Sequence, residues 1–323
     1  MKKDLTIGIL LWNSISHLED LYGSIVSQDV INDFQLLIID NGSSDGSVSY
    51  SKAFFKDKDI DLRIIENPVN RGFCQGANQL IEETNSEYFI LLNSDVKFES
   101  DYFESLLSNI KKSDSEVIGL IPKALYFYDE ARINNFGNNF SPFSLWQGEY
   151  TDKIDEASIS TYECMGGLFI SPIFKVNLLK EIGGFIDEFG SYGEDFDVSY
   201  RARIMGYKWI ADSDSIIYHK FQASIKDNNV DRRKWYINGF RNAFYVLIIN
   251  LQLLNLIYVL PIFFARILTR YNIYSHQNNY NFFETNSLFF KTFLRKADFT
   301  WIKSWRRFVQ DKRVISDFKV WKL

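Results

Sequence analysis

Acidic side chains stand at the ends of two apolar runs, where a carboxylate can do more than close a strand. Asp95 follows Asn93 and Ser94 in FILLNSDV, and Asp40 ends FQLLIID. A single carboxylate at a strand end can hold a divalent cation that also touches a substrate diphosphate. One that faces a sheet crevice can accept hydrogen bonds from a nucleobase or a ribose. The alternative for both residues is a turn in which the side chain bonds nearby backbone.

A second group of acids lies later, in SYGEDFDVSYRAR. Glu194, Asp195 and Asp197 open a segment of helical character, and acids at a helix N-terminus are ordinary partners of the helix dipole. Three acids within four residues exceed what capping requires. A carboxylate aimed into a cleft there could take a proton from a hydroxyl nucleophile.

A glycine loop and a histidine complete the candidate set. In ENPVNRGFCQGAN, Gly72 can take a positive φ, and the following helix start offers N–H groups as an anion site beside Arg71. The spacing matches neither a Rossmann GxGxxG nor a P-loop. His219, in SIIYHK, is a lone histidine and, taken alone, indicates a packed or surface residue rather than a ligand.

Five apolar runs of strand length alternate with helical stretches in the first part of the chain. The runs are LTIGILLW (5–12), FQLLIID (34–40), LRIIEN (62–67), EYFILLN (87–93) and VIGLIP (117–122), and the helical stretches are 16–28, 45–57, 73–84 and 100–112. This alternation predicts βαβ units and an α/β fold around a mostly parallel sheet. Ligands of such sheets bind at the carboxyl ends of the strands. We therefore expect four polar strand ends at one edge: Trp12-Asn13, Asp40-Asn41, Asn67 and Asn93-Ser94-Asp95.

The middle of the chain is less regular. Residues 126–162 are rich in Tyr, Phe, Asn and Gly and indicate excursions around a site. MGGLFIS (165–171) predicts another strand, 172–182 a helix, and GYKWIAD (206–212) and SIIYHK (215–220) two short strands.

Composition excludes several classes of function. The 323 residues carry a net charge of −5, which argues against general nucleic-acid binding through phosphate neutralisation. Two cysteines do not make a disulfide framework, and they indicate a reducing compartment. Only three histidines are present, so a site built from several histidines is not expected.

The C-terminal part changes character. Residues 243–268 are almost entirely apolar, interrupted by Asn250, Gln252, Asn255 and Pro261, and basic and aromatic residues follow. This mixture favours a helical hairpin in a membrane interface. The alternatives are a helical subdomain packed on the sheet and a transmembrane span, which needs about 20 apolar residues.

In order, these segments resemble a glycosyltransferase of the large inverting family 2, most of all its bacterial rhamnosyltransferase branch and the galactofuranosyl relatives. The segments are LLWNS, IIDNGSSDGS, NRGFCQGAN, LLNSDV, MGGLFIS and GGFIDEFGSYGEDFDVSYRARIMGYK, over about residues 5–225 and continuing into 233–250. The resemblance implies a GT-A (Rossmann-like) domain over 1–228, with a nucleotide-sugar half to about 127 and an acceptor half over 128–228. A helical, membrane-associating region over 229–323 would follow.

The family also implies roles for the matching positions. The nucleotide would be bound by Trp12, Asn13, Asp40, Arg71, Gly72, Asn78, Asn93 and Ser94, with Asp40 on the base. A divalent cation, Mg²⁺ or Mn²⁺, would be held by Asp95 and touched by His219, and Asp195, beside Glu194, would be the general base. One departure matters, because Asn93 stands where the family's Asp-x-Asp motif has its first acid. The metal site should then depend on the donor phosphates.

The function expected from this resemblance is transfer of a sugar, with inversion, from a nucleotide diphosphate sugar to a saccharide hydroxyl. The first candidate donor is dTDP-rhamnose, and the alternatives are UDP-galactofuranose, a UDP-hexose or a UDP-N-acetylhexosamine. The acceptor is expected over residues 126–166, where Phe143, Trp146 and Tyr150 could stack on sugars. The acceptor is expected to be a lipid-linked saccharide, because the protein is expected to lie at the cytoplasmic face of the membrane. The product would be a cell-surface polysaccharide.

Two rival functions come from other classes. A nucleotidyltransferase would need a strongly basic Gly-rich loop, which the sequence lacks. A catalytically silent nucleotide-sugar-binding protein would not need the Glu194-Asp195 pair, which is intact.

Overall fold

The structure is a computed structural model, and it describes residues 3–29, 34–141, 145–148, 150–156, 158–221, 232–277 and 299–322. The first part alternates strands and helices as the sequence predicts. In order it contains β1 (Leu5–Leu11), α1 (Ile15–Val26), β2 (Phe34–Asp40), α2 (Ser47–Phe55), β3 (Asp61–Glu66), α3 (Phe73–Glu83), β4 (Tyr88–Leu92), β5 (Val96–Phe98) and α4 (Tyr102–Lys112). All five side chains of β4 are buried, as expected for a strand covered by helices on both faces.

The second part adds strands of both directions. In order it contains β6 (Val117–Tyr126), β7 (Asp129–Asn135), β8 (Asn139–Ser141), β9 (Leu145–Gln147), β10 (Tyr162–Cys164), β11 (Ile173–Lys175), α5 (Val176–Glu181), a 3-10 turn (Asp187–Phe189), α6 (Glu194–Ile204) and β12 (Lys208–His219). Ten strands of the described ranges form one sheet, in the order β10-β12-β6-β11-β4-β1-β2-β3, with β5 beside β12 and β7 beside β6. Helices flank this sheet, so the predicted α/β, GT-A-like class is confirmed.

The register brings the predicted strand ends to one edge. Leu11 pairs with Asp40 and Asp40 pairs with Glu66, so β1, β2 and β3 end side by side. At the same level β4 gives way to Asn93, Ser94 and Asp95. The end of β12 reaches this edge from the other half of the sheet, because His219 pairs with Val96.

Two of the strand predictions are wrong. MGGLFIS is not a strand, because Gly166 passes so close to α6 that a Cβ there would lie 2.1 Å from Ser199 Oγ. The ladder resumes only at Ile173–Lys175, within the stretch that was predicted to be helical. The two short strands predicted over 206–220 form the single strand β12, whose pairing with β6 shifts register between Asp212 and Ile216.

The apolar C-terminal stretch forms two helices and not one. α7 (Arg232–Asn250) and α8 (Leu253–Gln277) are separated by two residues, and α9 (Thr300–Asp311) and α10 (Asp317–Val320) follow. The interrupting amides explain the break, because Asn250 Nδ2 donates to Asp197 Oδ1 at 2.8 Å and Asn255 Nδ2 donates to Asp317 Oδ2 at 2.6 Å. Of the described helices, none is long and apolar enough to cross a membrane.

Polar side chains of α9 and of the residues after it cap the end of α7. Arg306 Nη1 donates to Leu251 O at 2.8 Å, Gln310 Nε2 donates to Asn250 O at 3.0 Å, and Arg313 Nη2 also donates to Asn250 O. The last carbonyls of a helix have no partner within it and carry negative partial charge, so the two arginines suit both needs. These bonds join the C-terminal helices to one another, and Asn250 with Asp197 and Lys312 Nζ with Glu181 O tie them to the sheet domain.

Candidate active site

A cavity of about 460 Å³ opens at the edge where the parallel strands end. It brings together eight of the predicted site residues: Trp12, Gly72, Asn93, Ser94, Asp95, Glu194, Asp195 and His219. The lining does not include Asn13, Asp40, Arg71 or Asn78. The two acidic segments of the sequence, about one hundred residues apart, thus face the same space.

Asp95 and His219 form a buried pair in this cavity. His219 Nε2 lies 3.5 Å from Asp95 Oδ1, and on the other side of the ring His219 Nδ1 donates to Asn134 Oδ1 at 2.8 Å. An amide oxygen can only accept, so Nδ1 carries a proton and the ring turns its Nε2 toward the Asp95 carboxylate. This is the arrangement by which proteins orient a histidine for a metal.

The charge state of Asp95 suits the same purpose. Burial alone raises the pKa of this carboxyl, but the hydrogen bond and charge of His219, with a smaller contribution from His17, outweigh it and hold the pKa below its ordinary value. Asp95 is therefore an anion despite its burial. Within the described residues no group of three His, Cys, Asp or Glu side chains converges as a metal site.

Glu194 and Asp195 open α6 and line the same cavity. Asp195 Oδ1 accepts the N–H of Phe196 at 2.7 Å, and Glu194 Oε2 is buried with no hydrogen-bond partner in the part of the chain that the structure describes. Burial raises the pKa of both carboxyls, and the charge of Asp195 raises that of Glu194 further. Such a pair takes up a proton more readily than an exposed carboxylate, as a general base requires.

The third acid of this cluster has a different task. Asp197 is fully buried and binds Arg201, with Oδ2 accepting from Nε at 3.0 Å and from Nη2 at 2.5 Å. Arg201 also donates to the carbonyls of Ile182 and Gly184, at 2.5 and 2.8 Å. Asp197 thus fixes α6 to its surroundings and faces away from the cavity.

Asp40 ends β2 outside the cavity lining, and only one of its two carboxylate oxygens is hydrogen-bonded among the described residues. Its Oδ2 accepts the N–H groups of Gly42 and Ser43 at 3.1 and 2.9 Å. Its Oδ1 is buried, and none of the described groups bonds it. A role in the turn therefore explains the contacts of Oδ2, whereas Oδ1 has no hydrogen-bond donor among the described residues. Asp45 by contrast is a turn residue, because its oxygens accept from Ser47 and from the N–H of Ile15.

The glycine loop has the predicted backbone. Gly72 has φ +88°, and a Cβ there would lie 3.2 Å from Gly190 O. Asn41 and Asn70 hold the loop, because Asn41 Nδ2 donates to Asn70 Oδ1 at 3.0 Å and to Gly72 O at 3.1 Å. Both asparagines line the cavity, and of the two only Asn41 is among the strand ends predicted from the sequence.

The remaining candidates lie outside the cavity lining. Asn13, at φ +48°, accepts the N–H of Ser44 at 2.9 Å and so supports the turn after Asp40. Asn78 Nδ2 donates to Phe185 O and to Asp187 Oδ1 at 2.9 and 2.7 Å, which ties α3 to the segment before α6.

Of the three aromatic residues predicted to stack on the acceptor, Tyr150 lies within the described part of the chain. Its ring lies 5.7 Å from that of Phe136 and 5.8 Å from that of Tyr162, in an aromatic cluster. Phe143 and the side chain of Trp146 lie outside the described residues.

Asn134 and Tyr192 are functional candidates that the sequence reasoning missed. Asn134 sits on β7, far from His219 in sequence, and no local pattern marks it. Tyr192 lines the cavity and has φ +73°. Its position in SYGED, shortly before the two acids, is the sequence feature from which a place in the site could have been predicted.

Three curated relatives have similar sequences. The uncharacterized glycosyltransferase YfnE of Bacillus subtilis is 26% identical over 195 residues, 57% of this chain and 47% of YfnE. Glycosyltransferase GlyG of Streptococcus pneumoniae is 23% identical over 239 residues, 72% of this chain and 75% of GlyG. A poly-beta-1,6-N-acetyl-D-glucosamine synthase of Staphylococcus epidermidis is 23% identical over 61% of this chain and 45% of the synthase. The chain thus spans about half the length of YfnE and of the synthase.

Two solved structures share the fold. GalNAc-T7, crystallised with UDP, GalNAc and Mn²⁺, superposes with a TM-score of 0.68 at 13% identity over 99% of this chain and 56% of that one. S. aureus TarS 1–349 in complex with UDP-GlcNAc superposes with a TM-score of 0.61 at 16% identity, over all of this chain and 90% of that one. At such identities the likeness is one of fold.

The family model described as Glycosyl transferase family 2 matches residues 6–167, half of the 323 residues, and this chain therefore belongs to glycosyltransferase family 2.

Proposed function

We propose that this protein transfers a sugar from a nucleotide diphosphate sugar to a hydroxyl of a saccharide acceptor, with inversion at the anomeric carbon. The observation that carries the proposal is the convergence of two pairs in one cavity. Asp95 and His219 line this cavity, and so do Glu194 and Asp195. The first pair suits the leaving diphosphate, and the second suits the attacking hydroxyl.

The donor base is assigned to the turn after β2. A uracil or thymine presents an N3–H donor, which matches the open Oδ1 of Asp40, whereas cytosine presents an acceptor at that position. GalNAc-T7 and TarS were both solved with uridine nucleotides, which supports the same class. dTDP-rhamnose is the first candidate, and UDP-galactofuranose, a UDP-hexose and a UDP-N-acetylhexosamine are the alternatives.

A divalent cation fits the Asp95–His219 pair. The set offers one carboxylate oxygen and one imidazole lone pair, and Asn134 fixes the ring. This mixture of oxygen and nitrogen suits Mn²⁺ and admits Mg²⁺ with donor phosphates and water as the other ligands. GalNAc-T7 was solved with Mn²⁺. A bound cation neutralises the charge that develops on the leaving diphosphate.

Asp195 is the proposed base. As the acceptor oxygen bonds to the anomeric carbon, its proton passes to the Asp195 carboxylate and the bond from that carbon to the phosphate oxygen breaks. The products are the glycoside and the nucleoside diphosphate. Burial keeps the Asp195 carboxyl more basic than an exposed one, and the residues that line the cavity hold the two substrates in contact.

The proposed acceptor is a lipid-linked saccharide at the cytoplasmic face of the membrane. Helix α8 leaves an apolar face uncovered, made of Leu253, Leu254, Ile257 and Tyr258, each at least 66% exposed. Residues 253–277 contain no Asp or Glu that an anionic lipid would repel, and they contain Arg266 and Arg270. Such a face binds a membrane interface. The poly-N-acetylglucosamine synthase among the relatives supports an acceptor that becomes part of a surface polymer.

The deciding experiment is a panel of nucleotide sugars with the purified protein in Mn²⁺, Mg²⁺ or EDTA. A donor that binds the folded state raises the melting temperature by mass action. We expect metal-dependent stabilisation by one uridine or thymidine diphosphate sugar and its slow hydrolysis to free sugar and nucleoside diphosphate. With pyrophosphate added, its consumption to give a nucleoside triphosphate and a sugar 1-phosphate would instead indicate a nucleotidyltransferase. Binding without any turnover or transfer would indicate a silent binding protein, and either result would overturn the proposal.

A further inference from the structure

The turn that leads into Glu194 and Asp195 has an unusual backbone. Gly190, Tyr192 and Gly193 all have positive φ, at +71°, +73° and +88°. Glycine adopts this region freely, but a tyrosine remains there only when its surroundings hold it. Tyr192 itself lines the cavity. Something outside the turn must therefore keep the residues before the proposed base in place.

That support comes from one side chain of α7. Asn242 is fully buried, and its Nδ2 donates to the carbonyls of Phe189 at 3.0 Å, Ser191 at 3.1 Å and Tyr192 at 2.6 Å. On the other side, Asn242 Oδ1 accepts from Arg241 Nε and Nη2 at 3.1 and 2.9 Å. Both ends of the amide are used, so its orientation is fixed.

The fit around this amide is close. A Cβ at Gly193 would lie 3.2 Å from Asn242 Cβ, so the helix approaches the turn nearly to contact. Asn242 lies beyond residues 6–167, the part of the chain that the family model matches. The turn before the proposed base therefore receives its support from the C-terminal region.

We propose that Asn242 is a positioning residue for the glycosyl transfer, an inference that rests on the proposed function. By gathering three carbonyls onto one amide nitrogen, Asn242 holds the 189–193 turn in its left-handed form. This sets the direction in which α6 starts and hence where Asp195 meets the acceptor hydroxyl. A displacement of the base by about 1 Å is enough to lower turnover about 100-fold, so the position of the turn controls rate more than donor binding.

The test compares two substitutions of a buried amide by leucine. Asn242→Leu removes the three hydrogen bonds to the turn. Asn255→Leu is the matched control, because Asn255 is also a buried amide of the C-terminal helices but bonds Asp317 and does not line the cavity. For each protein we would measure melting temperature, the stoichiometry and Kd of UDP or dTDP with Mn²⁺ by calorimetry, and kcat with the donor found in the panel.

For Asn242→Leu we expect kcat to fall about 10-fold to 100-fold. Its nucleotide stoichiometry should stay near one, and its Kd should remain within about threefold of wild type. Asn255→Leu should lose comparable thermal stability and retain kcat. Asn242→Ser, which keeps one short donor, should have an intermediate kcat, and it serves if the leucine variant does not fold.

Two results would overturn the inference. One is unchanged kcat in a folded Asn242 variant. The other is an equal loss of kcat in Asn255→Leu, which would show a general effect of stability. If the wild-type protein neither binds nor turns over any nucleotide sugar, the proposed function itself fails and the inference falls with it. That outcome is read from the wild type alone.

Discussion

His219 Nδ1 donates to Asn134 Oδ1 at 2.8 Å, and this single contact turns the opposite nitrogen of the ring toward Asp95. An asparagine on β7 thereby orients a histidine on β12. The two residues are 85 positions apart, so no local stretch of the sequence predicts their contact.

Asn134→Leu should weaken Mn²⁺ binding in the presence of UDP about 10-fold to 100-fold, because the His219 ring loses its fixed tautomer and orientation. Bound Mn²⁺ can be counted by electron paramagnetic resonance. Asn109→Leu is a matched control, since Asn109 Nδ2 donates to Asp212 on the same strand β12, at 3.1 Å from Oδ2, but away from the cavity. Equal Mn²⁺ affinity in wild type and Asn134→Leu would remove His219 from the metal site.

Asp195→Asn should lower kcat by at least about 100-fold, because the carboxamide cannot accept the acceptor's proton. Nucleotide binding should be retained, since the proposed donor contacts are made by other residues of the cavity, among them Asp95 and His219. Calorimetry with UDP and Mn²⁺ separates the two effects. Glu188→Gln, an exposed acid in the same segment, is the control and should keep full turnover. Near-normal turnover in Asp195→Asn would show that another group is the base.

Glu194→Gln should change how stability depends on pH. Burial, with the charge of Asp195 added, raises the pKa of Glu194 above its ordinary value of 4.5, so the folded protein keeps a proton that the unfolded chain releases. The folded state then binds more protons, and its free energy of unfolding falls as pH rises from the ordinary value through the raised one. The melting temperature of Glu194→Gln relative to wild type should therefore rise between about pH 5 and about pH 8. A constant difference would contradict the raised pKa.

Ile257→Asp in helix α8 should reduce binding to vesicles of phosphatidylglycerol and phosphatidylcholine several-fold, because an anion in an apolar face opposes both insertion and the lipid charge. Its side chain is 66% exposed, so stability should change little. Tyr128→Asp, at the 84% exposed tip between β6 and β7, is the matched control. Co-sedimentation that does not distinguish the two variants would remove α8 from the membrane contact.

Asp197→Asn should destabilise the fold by about 3–5 kcal/mol, because it leaves Arg201 buried with its charge uncompensated. Chemical unfolding in urea measures the loss. Glu66→Gln breaks the exposed pair with Lys52, whose side chains are 53% and 56% accessible, and it should change stability by less than about 1 kcal/mol. Similar losses in both variants would mean that the Asp197 network is not a structural centre.

The sequence was enough to predict the α/β class and the edge at which the site lies. Apolar runs such as FILLN end in Asp95 or Asp40, and parallel strands place their ends together. The contacts that orient these residues depend on register between distant segments. Asn134 reaches His219 only because β6 lies between β7 and β12. MGGLFIS has the composition of a strand, but close approach to α6 keeps it out of the ladder.

The different environments of the three acids at the start of α6 could not be predicted from the sequence either. Glu194, Asp195 and Asp197 look equivalent in the sequence, yet a helix turns successive side chains by about 100°. Two therefore face the cavity, whereas Asp197 faces Arg201 and Asn250. Only the structure separates the acid that bonds Arg201 from the two that line the cavity.

Helix α7 contacts both sides of the base: Asn242 bonds the turn before it, and Asn250 bonds Asp197 two residues after it. The C-terminal region is thus not an exchangeable module. A chimaera that joins this sheet domain to the C-terminal helices of a relative should fold but turn over substrate at least about 10-fold more slowly, unless both asparagines are grafted with it.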